Sequence, residues 1–204
     1  MSCEGQQNDN MKSAAAKSAL NAYLDKGGRV FASHWHNAWL QNGTTALKSV
    51  ATFTPYTGPD PAVDTIDTSV DKGTALADWL QLPGVAGTTT RGQLTVTQAR
   101  FTVSAIASGA PILARQWAYY KPAAGNALPQ YFSFDTPVGA AAQQQCGQMV
   151  FTDLHVSAGT GTGNVDSGGP DFPSGCKATG LSAQEKALIF MLFDLTNCIQ
   201  TPIG

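Results

Sequence analysis

Alternating apolar and polar positions predict a chain of helices and short strands. The spacing of apolar side chains predicts a helix over residues 11–25, which the glycine pair Gly27–Gly28 brings to an end. The next five residues, 29–33, form an apolar run that stops abruptly at polar and aromatic residues. This order of helix, glycine turn and buried strand is typical of an α/β unit.

The middle of the chain mixes irregular and strand-like patterns. Residues 43–73 are rich in Thr, Pro and Asp, and we predict that they are irregular. The same reasoning from periodicity predicts a helix over 74–82, one or two strands within 92–106, and strands over 112–120 and 148–154.

The C-terminal part of the chain predicts one more helix, over residues 183–197. It begins at a capping box, in which Ser182 precedes Glu185 by three positions. Its middle is almost entirely apolar, so we expect it to be buried on most sides and packed against a sheet.

Composition and charge exclude several classes of partner. The 204 residues carry a formal net charge of −2, and only 13% are charged, without a basic patch, so we predict no nucleic-acid partner. No run approaches the ~20 apolar residues of a membrane span. No secretory signal follows Met1. The lysine-poor composition nevertheless predicts an extracytoplasmic or secreted protein.

Four cysteines allow three disulfide pairings. Cys176 and Cys198 bracket the last predicted helix, and we predict a bridge between them. Cys3 and Cys146 are then left to pair with each other or to stay free. The alternative is four buried reduced thiols, because free cysteine is commonly buried.

The three histidines all follow predicted strands. His34 and His36 come directly after the strand 29–33, and His155 comes after the strand 148–154. Ligands of open α/β sheets bind beyond the carboxyl ends of the strands. A site is therefore expected here if the two strand ends meet.

The segments around these histidines resemble the ThuA-like proteins of the class I glutamine-amidotransferase-like superfamily. In the order of helix, Gly-Gly, strand and histidine, His34 stands at the place of the superfamily's nucleophile. Residues 2–5 fall where the family keeps its oxyanion loop, and His155 follows a strand similar to the one that delivers the catalytic histidine. Segments of the type Ser-His-Trp-His and Asp-Leu-His-Val-Ser also resemble C-terminal domains of secreted myxobacterial proteins.

The resemblance covers residues 1–40 and 145–200 and implies one amidotransferase-like α/β domain over 1–204. It implies a mixed or mainly parallel sheet flanked by helices, with the N-terminal strands missing. Either the chain is then a fragment of a longer protein, or the sheet is small and completed in another way. Residues 43–145 would be a β-rich insertion. Residues 32–36 lie at the place of the superfamily's nucleophile elbow, the turn that carries the catalytic cysteine, and they contain no cysteine. The amidotransferase Cys-His-Glu mechanism is therefore not carried over.

If the strand ends are adjacent, the histidines form a candidate metal site. His34, His36 and His155 are the predicted ligands, and Glu4 is a further candidate as ligand and catalytic residue. Neutral imidazoles suit zinc or another divalent transition metal. Separately, the loop 164–171 offers carboxylate and amide oxygens to calcium, although its spacing matches no EF-hand loop.

A metal-free site and a packed role for the histidines are the alternatives. In the first, His155 acts as a general base oriented by Glu4 or Asp153, with Ser33 or Cys3 as nucleophile. In the second, a histidine beside tryptophan bonds to the backbone in the core.

The preferred functional hypothesis is a hydrolase that acts on a small ester, lactone or amide through metal-activated water. The substrate would be a small molecule. The alternative is a non-catalytic secreted surface domain that binds carbohydrate or a protein partner. The sequence predicts neither the substrate nor the oligomeric state.

Overall fold

The computed structural model describes residues 6–155 and 181–196 of the chain. The helices are α1 (Ala14–Asp25), α2 (Ala38–Gln41), α3 (Thr45–Lys48), α4 (Asp71–Trp79) and α5 (Ala183–Thr196), with a 3-10 turn over His34–Asn37. The strands are β1 (Arg29–Ser33), β2 (Ala51–Phe53), β3 (Ala62–Ile66), β4 (Gln93–Val96), β5 (Val103–Ile106), β6 (Ser108–Gly109), β7 (Ile112–Tyr120), β8 (Leu128–Thr136) and β9 (Gly147–Thr152). No described helix is long and apolar enough to cross a membrane.

The main sheet is mixed, in the order β1-β9-β8-β7-β3-β4, with β6 paired to β7 at one side. The β1 and β9 strands pair in parallel, whereas the other strand pairs in the described part of the chain are antiparallel. The prediction of an α/β fold with a mixed sheet is confirmed, and the option of a mainly parallel sheet is wrong.

Residues 43–145 contribute five strands to the same sheet as β1 and β9, namely β3, β4, β6, β7 and β8. The remaining strands β2 and β5 form a separate antiparallel pair. An insertion set apart from the main sheet is therefore not confirmed. The prediction that residues 43–73 are irregular is wrong in part, because they contain α3, β2 and β3. The Pro- and Thr-rich composition gave no sign of these elements.

Two apolar clusters cover the two faces of the sheet. In β9, Val150 joins the cluster beneath α4 and α5, whereas Met149 and Phe151 join the cluster that includes residues of α1, α2 and α3. This alternation follows from the period of two along a strand. It explains why residues 149–151 are apolar without a break, because β9 is covered on both faces.

The capping box at the start of α5 is confirmed. The hydroxyl of Ser182 accepts from the backbone N–H of Glu185 at 3.3 Å, and the Glu185 carboxylate accepts from the Ser182 backbone at 2.8 Å. Burial of α5 on most sides is wrong, because Leu192 and Phe193 are 43% and 69% exposed. The helix packs through one face, on which Ala187, Met191 and Leu195 are buried.

Cys146 is exposed and is not in a disulfide. The alternative of four buried thiols is thus wrong for this residue. Cys3, Cys176 and Cys198 lie outside the described residues, so the Cys176–Cys198 bridge stays a prediction. We expect non-reducing peptide mapping to recover these two cysteines in one linked peptide. Alkylation of both thiols in the untreated, denatured protein would contradict it.

Candidate active site at the strand ends

The carboxyl ends of β1 and β9 meet, as the site hypothesis requires. The strands run in parallel with Ser33 opposite Thr152, so the residues that follow each strand leave the sheet at the same edge. The rings of His34 and His155 lie edge to face there, with their centroids 4.7 Å apart. Two histidines that are remote in sequence are thus in direct contact.

The backbone makes a sharp turn at His34. Its φ of 51° lies in the left-handed region, where a residue with a side chain is strained, and the chain passes there from β1 into the 3-10 turn. Strained residues in strand-to-helix turns are typical of positions at which a side chain is presented to a reacting group. His34 is nevertheless only 5% exposed.

The environment of His34 keeps its imidazole neutral. The pKa of His34 is lowered to about 3, mainly by burial and then by the neighbouring His155 and the charge of Arg100, against a hydrogen bond with the Gln98 backbone that raises it. A neutral ring retains a lone pair at physiological pH. It can therefore accept a hydrogen bond or bind a metal ion.

His36 has a structural contact with its own strand. Its Nδ1 lies 2.7 Å from the carbonyl oxygen of Ser33, and the residue is 2% exposed. A carbonyl oxygen can only accept, so Nδ1 carries the proton. This geometry matches the packed role considered as an alternative for this histidine.

The described residues do not complete a metal site. Within 6–155 and 181–196, no group of three His, Cys, Asp or Glu side chains is arranged to hold a metal ion. His34 and His155 supply two imidazoles in contact. Glu4 and the calcium candidate loop 164–171 lie outside the described residues.

Asp153 holds a neighbouring segment in place through hydrogen bonds. Its carboxylate accepts hydrogen bonds from the Thr102 backbone at 2.6 Å, the Thr102 hydroxyl at 2.7 Å and the Val103 backbone at 3.1 Å. Its own carbonyl accepts from the Arg100 backbone at 2.8 Å. Asp153 thus fixes the segment that carries Arg100, and its role as an orienting partner of His155 stays a prediction.

Arg100 is a member of the site that the sequence analysis missed. Its guanidinium carbon lies 3.2 Å from the centre of the Trp35 ring, and Trp35 directly follows His34. Guanidinium groups stack on aromatic faces through cation–π attraction. The sequence signal was weak, because Arg100 is one of several polar residues between β4 and β5.

The start of α5 is hydrogen-bonded to the segments at the carboxyl ends of β9 and β4. The side-chain amide of Gln184 donates to the His155 carbonyl at 3.1 Å and accepts from the Thr97 backbone at 2.7 Å. Gln184 is 2% exposed. One side chain thus connects the segment after β9 with the segment that leads to Arg100.

Ser33 does not suit the role of nucleophile. It is completely buried, and in the described part of the chain its hydroxyl has no hydrogen-bond partner. A substrate cannot reach it without opening the core. Cys3, the other candidate nucleophile, lies outside the described residues.

A buried acid on β3, Asp64, was also missed. It is completely buried on the same strand face as Ala62 and Ile66, and neither carboxylate oxygen has a partner in the part of the chain described. Burial, together with the charge of Asp153, raises the pKa of Asp64 to about 8. We therefore expect Asp64 to be mostly protonated at neutral pH.

Comparison with known proteins gives one structural likeness. No family model matches the chain, and no curated protein matches it. A solved structure from Bacteroides uniformis, described as a ThuA-like protein, is similar with a TM-score of 0.43 and 12% sequence identity, over 70% of this chain and 55% of that one. The chain thus spans about half the length of this neighbour. The ThuA-like description of this neighbour names the same family as the resemblance found in the sequence.

Proposed function

We propose that the protein is a hydrolase of a small ester, lactone or amide, with the contacting pair His34 and His155 as its reaction centre. The observation that supports this proposal is the 4.7 Å contact between the two rings at adjoining ends of parallel strands. Sheet edges of this kind are where ligands of α/β proteins bind. Imidazoles are the groups that most often transfer protons at neutral pH.

The two histidines would have different tasks. His155 is half-buried, and its backbone is held in place because its carbonyl accepts a hydrogen bond from Gln184. As general base it would take a proton from the water that attacks the substrate carbonyl, and then return that proton to the leaving group. His34 is buried and neutral, and it would orient the ring of His155 through their contact.

The divalent metal predicted from the sequence is a separate proposal. His34 and His155 would hold it, with His36 or Glu4 as the third ligand, and a bound zinc-like ion would lower the pKa of its water to about 7. The described donors do not form a group of three, so we derive no step through the metal.

Elemental analysis of protein purified without a histidine tag tests the metal. We expect about one equivalent of a transition metal, as in structural and catalytic sites, and its loss in His155→Ala. If the protein holds only trace metal, even after metal supplementation, the proposal of a metal site is refuted and the general-base mechanism remains. The same measurement with calcium tests the loop 164–171.

Turnover tests the proposed function itself. We expect the wild-type protein to hydrolyse at least one class in a panel of activated esters, lactones and amides at pH 7–8. Glycan or protein binding without any turnover would instead support the non-catalytic surface domain.

A further inference from the structure

We infer that the side chain of Gln130 binds an internal water molecule, which links its amide to the carboxylate of Asp153. Both residues are completely buried, and a site enclosed in this way suits the smallest polar ligand. Asp153 lies two positions before His155, so the water site is at the sheet edge that carries the histidine pair. The inference concerns a structural ligand and is independent of the proposed hydrolase function.

The amide of Gln130 is buried without a partner. In the part of the chain that the structure describes, neither its nitrogen nor its oxygen forms a hydrogen bond. A side-chain amide has two N–H donors and a carbonyl acceptor. Burying such a group unpaired is costly, and buried polar groups almost always find a partner in the protein or in ordered water. Because no described protein group fills this role, water is the expected partner.

Gln130 is also an extra residue in strand β8. On β7, Ala118 lies opposite Tyr131, and the next residue, Tyr119, lies opposite Pro129, so Gln130 has no counterpart there. This arrangement is a β-bulge, and bulges are frequent beside functional sites because they redirect a side chain. The backbone of Gln130 is therefore paired with β9 and not with β7.

Asp153 lies opposite Gln130 at the end of β9. Its backbone N–H donates to the Gln130 carbonyl at 2.8 Å, which continues the ladder in which Tyr131 lies opposite Thr152. Side chains of directly opposite residues project to the same side of a sheet, with their Cβ atoms about 5 Å apart. The amide of Gln130 and the carboxylate of Asp153 are thus neighbours, and one water can bridge them.

The carboxylate of Asp153 can accept one more hydrogen bond. It accepts from the backbone and the hydroxyl of Thr102 and from the backbone of Val103. A carboxylate offers about four acceptor positions. One water can donate to the remaining position and accept from the Gln130 amide nitrogen, which gives it at least two polar partners. The water would thereby connect β8, through Asp153, with the segment that carries Arg100.

A high-resolution crystal structure of the wild-type protein tests the site directly. We expect a density peak for one water within about 3.2 Å of both the Gln130 amide and an Asp153 carboxylate oxygen. Absence of this peak, or a protein group in its place, would overturn the inference.

The variant Gln130→Met tests whether the amide holds the water. Methionine has nearly the shape of glutamine but lacks its donors and its strong acceptor. The water peak should therefore be lost from the crystal structure of the variant, while the hydrogen bonds between Asp153 and Thr102 remain. A peak that persists in Gln130→Met would show that other groups bind the water.

Thermal unfolding distinguishes a hydrated amide from a dry one, with Gln148→Met as the matched control. Gln148 is buried on β9, and its side-chain amide donates to Asp135 at 3.2 Å, so methionine there should lower the thermal midpoint. In Gln130→Met the midpoint should not rise, because a hydrated amide is already satisfied. A rise of about 2–4 °C or more would mean that a costly unpaired group has been removed, and it would overturn the inference.

Discussion

Replacing His155 with alanine is expected to lower kcat/KM by about 10²–10⁴-fold, the usual contribution of a general acid or base. The fold should survive, because the contact of His155 with Gln184 uses the backbone carbonyl, which alanine retains. Steady-state kinetics on the substrate found in the panel, beside thermal unfolding of the same preparation, measure both effects.

Loss of the His34 ring should reduce turnover as well, through loss of its contact with His155. Alanine is a poor choice at this position, because the φ of 51° is strained for residues with a side chain. Asparagine tolerates this region better than most residues, so His34→Asn removes the imidazole with less damage to the turn. Comparison of His34→Ala with His34→Asn separates the chemical effect from the conformational one.

Two control variants are compared with the variants of His155 and His34. Lys48→Ala changes an exposed residue of α3 and should leave both rate and stability unchanged. His36→Ala should cost about 1–3 kcal/mol of stability, because it removes a buried hydrogen bond to Ser33, with a smaller effect on turnover. Normal melting together with wild-type turnover in both His155→Ala and His34→Asn would exclude this edge of the sheet as the active site.

Replacing Asp64 with asparagine is expected to stabilise the protein above neutral pH. The folded-state pKa of Asp64 is about 8, against an ordinary aspartate pKa of 3.8. The folded state therefore binds this proton more tightly than the unfolded state does. The stability linked to Asp64 is fully present below about pH 4 and is lost as pH rises through about pH 8. Asparagine is neutral at every pH, so Asp64→Asn should gain ~2–4 kcal/mol near pH 7.5.

The contribution of Asp64 is given by the difference in the free energy of unfolding between Asp64→Asn and the wild type. Burial also raises the pKa of Asp153, so this group too makes the folded state less stable as pH rises. The lowered pKa of His34 acts in the opposite direction, because it makes the folded state less stable as pH falls below 6.5. The pH dependence of wild-type stability is therefore the sum of several contributions. Urea unfolding of both proteins from pH 4 to pH 9 should give curves that diverge as pH rises. The matched control Asp78→Asn, at an exposed aspartate of α4, should run parallel to the wild type. Parallel curves for Asp64→Asn would show that Asp64 ionises normally.

Local patterns predicted several elements closely. Strands β1 and β7 have the predicted bounds, and α5 begins at the predicted capping box. These elements are recognisable because strand alternation, glycine turns and helix caps involve residues only a few positions apart. The position of α1 was also predicted, although it begins at Ala14, where the hydroxyl of Ser13 accepts from the Ala16 backbone.

Other elements could not be predicted from local patterns. Strand β3 lies in a segment dominated by Thr, Pro and Asp, and it becomes a strand because β4 and β7 pair with it on both sides. The exposure of Leu192 and Phe193 could not be predicted either. The apolar run of α5 has no polar face that would indicate which side packs against the sheet.

The amino-acid sequence by itself determined that histidines follow two buried strands, β1 and β9. The tertiary structure alone decided that these strands are parallel neighbours and that the rings of His34 and His155 touch. It alone brought Arg100 onto Trp35 and enclosed Asp64 in the core. The physical reason is that a side chain's type and period are local properties, whereas strand pairing, burial and charge proximity depend on residues that are far apart in the chain.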